Sequence, residues 1–377
     1  MTGLCLIALA VLIQAYVGYP LSLTLLRLVL GRRARHAQGA GTPSITLVIS
    51  AYNEGLAIRQ KIENSLALDY PVDRLRCIVV SDGSSDATNP IVREYADRGI
   101  ELRCFPDRQG KVACLNQVIP TLTSELVVMS DANSIYDKQS LRKLVRHFAD
   151  ERTGCVCGLL SYVNPRKLLS GEGERLYWSY ETCIKALESG LGSLLGANGA
   201  IYAYRRALFR PVDPLMFCDD VVPIRIALAG YLTIFDPEAR CSEEAADERV
   251  EMRRRARHAS FGMRSMGEVA AEALKRGRLL ILYQCVSHRV LRWAGGACLI
   301  VLLLGTPFLP HPWAGVAATA QALLYAGAAA GYLASRSGLR LTLLYLPYYF
   351  LAISAAGLAG LGSLLLGRDT PYWEPRR

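Results

Sequence analysis

Asp131 ends the run from Glu125 to Met129 and Ser130, and Asn133 follows two residues later. Alternate residues of a strand share a face, so the pair can present two oxygens to one point beyond a sheet edge. A hard divalent cation suits such a pair. The competing reading is an ordinary strand end, because Asp and Asn both open turns. Asp82 precedes Gly83, the glycine a tight bend needs, and is either an acceptor for a base ring or ribose or the head of an Asx turn. Lys111 follows Gly110 at the start of a helical stretch, where an ammonium and free backbone N–H groups together favour phosphate. Asp219 and Asp220 precede an apolar helical stretch that ends at Gly230-Tyr231. They are either acids stabilising a helix start or a general base at the mouth of a cleft.

These residues need elements to position them, and the middle of the chain supplies a pattern. Short β-branched runs at Ile45 to Ser50, Arg76 to Ser81, Glu101 to Phe105, Glu125 to Ser130 and Cys155 to Val163 predict strands. Between them, Glu54 to Leu68, a stretch opening at Asn89-Pro90, Val112 to Val118 and Gln139 to Phe148 predict helices. Such βαβ repetition predicts an α/β domain with a mostly parallel sheet. Ligands bind at the carboxyl ends of such strands. Three of those ends carry acids and small polar residues: Ser50 to Glu54, Ser81 to Asp86, and Ser130 to Asn133. Chance explains one such end and not three. Neither GxGxxG nor a P-loop is present, so dinucleotide and phosphate-cradle schemes have no support.

The chain of 377 residues is 51% hydrophobic, with a mean hydropathy of +0.21 and long charge-free stretches at both ends. That describes a membrane protein carrying a soluble domain. Met1 to Leu26 has no Asp, Glu, Lys, Arg or His and exceeds the roughly 20 residues one crossing needs. Arg27, Arg32, Arg33 and Arg35 follow it rather than precede it, which predicts an uncleaved anchor with the next residues cytoplasmic. Trp293 to Pro310, Trp313 to Ser335 and Leu341 to Gly367 predict two or three further spans. The last either crosses or is broken by Pro347 and its glycines, and the side on which the tail lies follows from that. Arg249 to Arg292 is basic with Phe261, Met263, Met266, Val269 and Leu274 interspersed, as in amphipathic helices on an inner membrane surface. The eleven cysteines lack CxxC spacing and read as reduced thiols. A net charge of +10 fits anionic lipid or phosphate, and nucleic acid is not expected as a partner because the basic clusters lack interleaved aromatics.

Ser50-Ala51-Tyr52-Asn53-Glu54, Val80 to Asp86, Gly110-Lys111, Ser130 to Asn133, Gly196 to Ala200, and Asp219-Asp220 with Gly230-Tyr231 stand in the order seen in family 2 glycosyltransferases. The chain resembles the membrane-integrated members related to cellulose, chitin and hyaluronan synthases. That resemblance implies a GT-A fold over about residues 44–248, after an anchor at 1–35 and before interface helices at 249–288 and spans and tail at 289–377. It implies a UDP-sugar donor, a lipid-linked or growing glycan acceptor, Mg2+ or Mn2+ on the diphosphate, and inversion at the anomeric carbon. On the same resemblance Ala51, Tyr52, Glu54, Asp82 and Gly83 surround the nucleotide and Lys111 lies near it. Asp131 and Asn133 take the D-x-D positions, and Asp220, beside Asp219, is the base. The family's Q-x-x-R-W signature is missing, and Arg254 to His258 stands nearest to it. Arg254 and Arg257 can grip a diphosphate or a lipid surface but bring no Trp platform for stacking a sugar. The expected protein is thus a multi-pass inner-membrane transferase with a cytoplasmic catalytic domain in contact with membrane lipids. A catalytically impaired nucleotide-sugar-binding scaffold and a nucleotidyltransferase on a similar sheet are the alternatives.

Overall fold

The structure, a computed structural model, describes residues 1–30, 41–163, 171–244, 248–337 and 342–367, without the side chains of 171–178, 248–257 and 342. Arg32, Arg33 and Arg35 and the tail from Arg368 therefore lie outside the described residues, as do the side chains of Arg254 and Arg257. The chain divides into two compact units.

One unit holds Leu30–Val163 and Glu188–Glu244 and is built on an eight-stranded sheet. Its strands are β1 (Ile45–Ala51), β2 (Leu75–Asp82), β3 (Ile100–Phe105), β4 (Leu126–Asp131), β5 (Ile135–Tyr136), β6 (Thr153–Val163), β7 (Tyr202–Arg205) and β8 (Leu232–Glu244). Their spatial order is β3-β2-β1-β4-β7-β6-β8-β5. β1 runs parallel to both β2 and β4, β2 parallel to β3, and β6 parallel to β8. β7 is antiparallel to both of its neighbours, and β5 is antiparallel to β8. The sheet is therefore mixed and mostly parallel, as the βαβ pattern predicts.

Helices α1 (Ile58–Leu66), α2 (Thr88–Arg93), α3 (Lys111–Val118), α4 (Ser140–Val145) and α5 (Cys218–Leu228) complete the layers. Successive strand residues bury into opposite faces. Leu47, Ile49, Val79 and Val128 pack with Ile58 and Ile62 of α1 on one side, and Val48, Ile78, Val80 and Met129 pack with Leu115 of α3 on the other.

Two expectations shift. The helix predicted from Glu54 begins only at Ile58, since residues 54–57 form a turn in which Ala57 and Ile58 both donate to the Glu54 carbonyl. The helix predicted to open at Asn89-Pro90 begins at Thr88. Strands β5, β7 and β8 are additions that periodicity alone does not reveal. β8 contains Asp236-Pro237-Glu238, which reads as a turn, and its register against β6 jumps between Gly158 and Leu159 to absorb it.

The second unit holds Met1–Val29, Asn164–Leu187 and Ala245–Asp369. Thr2–Leu30, Trp313–Arg336 and Leu343–Leu365 are long and apolar enough to cross a membrane. Leu279–Trp293 and Gly295–Phe308 form a pair bent by 54° that passes the same test together. Thr342–Leu365 is one helix despite Pro347 within it. Leu6, Leu21 and Leu323 are among many leucines turned outward, as a lipid-facing surface requires. A β-carbon on Gly331 would meet the Leu344 carbonyl oxygen at 2.1 Å, so glycine allows the last two helices to touch backbone to backbone.

Polar groups gather inside this unit. Glu181 accepts from Arg292 and lies 3.3 Å from His288 Nε2. The Gln14 amide donates to Tyr283 Oη at 2.9 Å. Gln14 and His288 both lie in π-helical turns, Gln14–Gly18 and Cys285–Val290, which open helix faces to side-chain partners.

Candidate active site

The site is built where three adjacent parallel strands end together. Ala51 at the end of β1 is level with Ser81 of β2, and Ser50 with Asp131 of β4. The loops after β1 and β2 are tied into one body. Asn53 adopts φ 52°, and its Oδ1 accepts the Ser85 N–H at 2.8 Å while its own N–H donates to Ser84 Oγ at 3.1 Å. The Glu54 N–H donates to Thr88 Oγ1 at 2.8 Å and the Gly55 N–H to Asp86 Oδ2 at 2.9 Å. Ala51 is 4% exposed, and the Tyr52 ring carries the Arg108 guanidinium 3.8 Å from its centroid.

Asp82 does more for the chain than the sequence suggests. It is 5% exposed, and its carboxylate accepts the N–H groups of Gln109 at 2.6 Å and Gly110 at 2.9 Å, with Cys114 Sγ at 3.3 Å. It thereby fixes the loop that delivers Lys111 to the first turn of α3. Gly83 has φ +67°, and a β-carbon there would meet the Arg108 nitrogen at 2.6 Å, so glycine is required on both counts.

Lys111 reaches across to β4, where its Nζ donates to Asp131 Oδ1 at 2.5 Å. Burial works against its charge, but Asp131, Cys218 and Asp219 outweigh it and hold the ammonium above the ordinary lysine range. Asp219 and Asp220 occupy the first turn of α5. Burial, then the charge of Asp220, raises the Asp219 carboxyl to about 6, with Lys111 acting the other way. The Asp219 carbonyl accepts the Ala197 N–H at 2.7 Å, and a β-carbon on Gly199 would lie 3.0 Å from Asp219 Oδ2. The Gly196 to Ala200 segment is thus pressed against the acids. Asp131, Lys111 and Asp219 form one electrostatic cluster, whereas Asp82 joins it through the loop it holds.

Asp131 and Asn133 lie on either side of buried Ala132, both partly exposed. Among the described residues no three His, Cys, Asp or Glu side chains converge as a complete metal cage. One carboxylate and one amide oxygen do fit Mg2+ or Mn2+ where a ligand's oxygens and water complete the shell, because these ions are bound through few protein groups. Behind this turn stand Lys61 and Glu243, which sequence reasoning did not single out. Lys61 sits in an otherwise ordinary amphipathic helix, so no local signal marks it. Arg108 was also missed, although its place in the loop before Gly110-Lys111 is a usable signal.

Residues 46–212 match the family model described as Glycosyl transferase family 2. The chain is 27% identical over 260 residues to the probable glycosyltransferase YdaM of Bacillus subtilis (strain 168), covering 64% of this chain and 60% of the relative. It is 27% identical over 206 residues to the poly-beta-1,6-N-acetyl-D-glucosamine synthase of Staphylococcus aureus (strain COL), covering 52% and 49%. The chain thus spans about half to three-fifths of the length of the curated relatives it matches. Among solved structures, the mannosyltransferase PcManGT from Pyrobaculum calidifontis, in complex with GDP-Man and Mn2+, superposes with a TM-score of 0.73 at 24% identity. That likeness covers 97% of this chain and 100% of the other, and it shows a shared fold.

Proposed function

We propose, from the match of residues 46–212 to the family 2 glycosyltransferase model and the fold shared with a solved mannosyltransferase, that the chain is an inverting glycosyltransferase at the inner face of the cell membrane. It moves a sugar from a nucleotide-sugar, with a UDP-sugar as the first candidate, to a lipid-linked or growing glycan acceptor. The single observation that carries this reading is the meeting of Lys111, Asp131 and the Asp219-Asp220 turn at one sheet rim. A cation for phosphate, an oxygen ligand for metal and a pair of acids are the parts that displacement at an anomeric carbon needs.

In the proposed reaction an acceptor hydroxyl attacks the anomeric carbon while the bond from that carbon to the diphosphate oxygen breaks. Asp220 takes the hydroxyl proton, and the nucleoside diphosphate leaves. Asp219, its carboxyl raised to about 6 by burial and by the charge of Asp220, stands beside it in the same helical turn. Lys111 shifts part of its interaction from Asp131 to the diphosphate. Mg2+ or Mn2+ bound at Asp131 and Asn133 would neutralise the charge that develops on the leaving group. The loops at Ala51 to Glu54 and Asp82-Gly83 frame the nucleotide, with Tyr52 and Arg108 offering a flat cationic stack. The apolar helices support a multi-pass membrane setting, and the basic helix Glu248–Lys275, with Arg254 and Arg257, suits anionic lipid or diphosphate.

The test is a nucleotide-release screen of the purified full chain in membranes against UDP- and GDP-sugars, with and without Mn2+. The solved neighbour holds GDP-Man and the staphylococcal relative is named for an N-acetylglucosamine polymer, so both bases belong in the panel. Asp220→Asn should lower transfer by at least ~100-fold while leaving nucleotide binding nearly intact. Near-normal turnover in that variant would overturn the assignment of the base.

A further inference from the structure

Lys61 lies in α1 at 0% exposure, among the largest fully buried side chains of the protein. Its Nζ donates to the Ser134 carbonyl at 2.6 Å and sits 4.1 Å from the centroid of the Tyr136 ring. Burial pushes the ammonium down to about 8, against the pull of Cys241, Cys77, Asp131 and Glu243. A buried ammonium costs several kcal/mol unless its interactions repay it, so what it holds is informative.

What it holds is the turn that carries Asp131 and Asn133. The Ser134 N–H closes that turn on the Asp131 carbonyl at 3.2 Å, and Ser134 Oγ donates to Glu243 Oε1 at 2.6 Å. Asn64, one turn after Lys61, brackets Tyr136 with bonds of 2.9 Å to its carbonyl and from its N–H. The Tyr136 hydroxyl in turn has the carbonyls of Met129 at 2.9 Å and Ala200 at 3.1 Å as acceptors for its one proton. α1 thus braces residues 131–136 from behind, with Lys61 as a charged group and Asn64 as a neutral one on the helix side.

We propose that Lys61 is a positioning residue for divalent-cation binding: it fixes the Asp131–Ser134 turn so that the Asp131 and Asn133 oxygens face one cation bound with a nucleoside diphosphate. The inference rests on the metal-assisted reading above. It has a direct test in Mn2+ electron paramagnetic resonance, titrating Mn2+ into the full chain with UDP or GDP present. Lys61→Met replaces the ammonium with an apolar chain of similar length, which a buried site accepts. The expected result is a folded variant, by thermal unfolding and circular dichroism, with Mn2+ affinity at least tenfold weaker than wild type. A role in packing alone moves the unfolding temperature and leaves the affinity of the folded protein unchanged. Should Lys61→Met not fold, Lys61→Gln keeps a donor for the carbonyl without the charge, and at least threefold weaker binding is expected. Wild-type affinity in either folded variant overturns the inference alone. A wild-type chain that takes up no Mn2+ with either nucleotide overturns the metal-assisted reading and this inference with it.

Discussion

Lys111 Nζ donates to Asp131 Oδ1 at 2.5 Å, so the carboxylate proposed to hold a divalent cation is already held by a cation of the chain. The pair holds the Asp131 carboxylate in place at the rim before any ligand arrives. Lys111→Met should weaken binding of Mn2+ with UDP or GDP by about 10- to 100-fold, in line with ~1.5–3 kcal/mol for a hydrogen bond to a charged group. Calorimetric titration checks this, and unchanged affinity would make the pair a purely structural one.

Asp219 gives a pH dependence with a definite sign. Its folded value, about 6, lies above that of the unfolded chain, near ~4. The folded state therefore retains a proton that the unfolded state has released, and this group's contribution to stability declines as pH rises from about 4 to about 6. Asp219→Asn removes the decline. The variant should gain on the order of 2 kcal/mol over wild type above about pH 6, with the gain vanishing near pH 4. Thermal unfolding of the detergent-solubilised chain across that range reads the difference, and a difference that does not vary with pH would exclude a raised acid.

Gly83→Ala adds a β-carbon at φ +67° and 2.6 Å from a backbone nitrogen of the Asp107-Arg108 segment. Neither the strain nor the clash can relax without moving the loop that Asp82 anchors. Stability should fall by about 1–3 kcal/mol, and nucleotide binding should fall with it because Lys111 follows that loop. Urea unfolding and nucleotide titration of the same preparation check both parts.

In the apolar unit, Glu181 faces Arg292, which is 9% exposed, and His288. Glu181→Gln removes the charge opposite a buried guanidinium and should cost about 3 kcal/mol, the usual size for breaking one side of a buried pair. Combining it with Arg292→Met should recover most of that loss. If the double variant is as unstable as Glu181→Gln alone, the pair is not what holds these helices.

The sequence exposes the residues that sit in short motifs at strand ends. Asp82 and Asp131 could be read because β2 and β4 are β-branched runs that stop abruptly at polar residues, and Lys111 and Asp219 because each stands at the start of a helical stretch. What Asp82 touches could not be read, since its partners Gln109 and Gly110 come from a loop 27 and 28 positions away. β7, only Tyr202–Arg205, gains its identity from pairing on both edges rather than from its own pattern. Lys61 looks like any solvent-facing lysine of an amphipathic helix, and only tertiary packing turns it inward.

Because β7 lies between β4 and β6, the nascent chain meets an ordering problem during translation. The segment β1 to β4 is complete when Asp131 is made, but the strand that covers the β4 edge begins at Tyr202, after the Gly171–Gly190 helix. Until then β4 presents unpaired N–H and C=O groups, the kind of edge that recruits other chains. The acids of α5 emerge later still, at Asp219. A ribosome stalled before Cys218 would leave β1 to β7 made and β8 still to come, with Asp82, Lys111 and Asp131 in an electrostatic balance that the finished protein never shows.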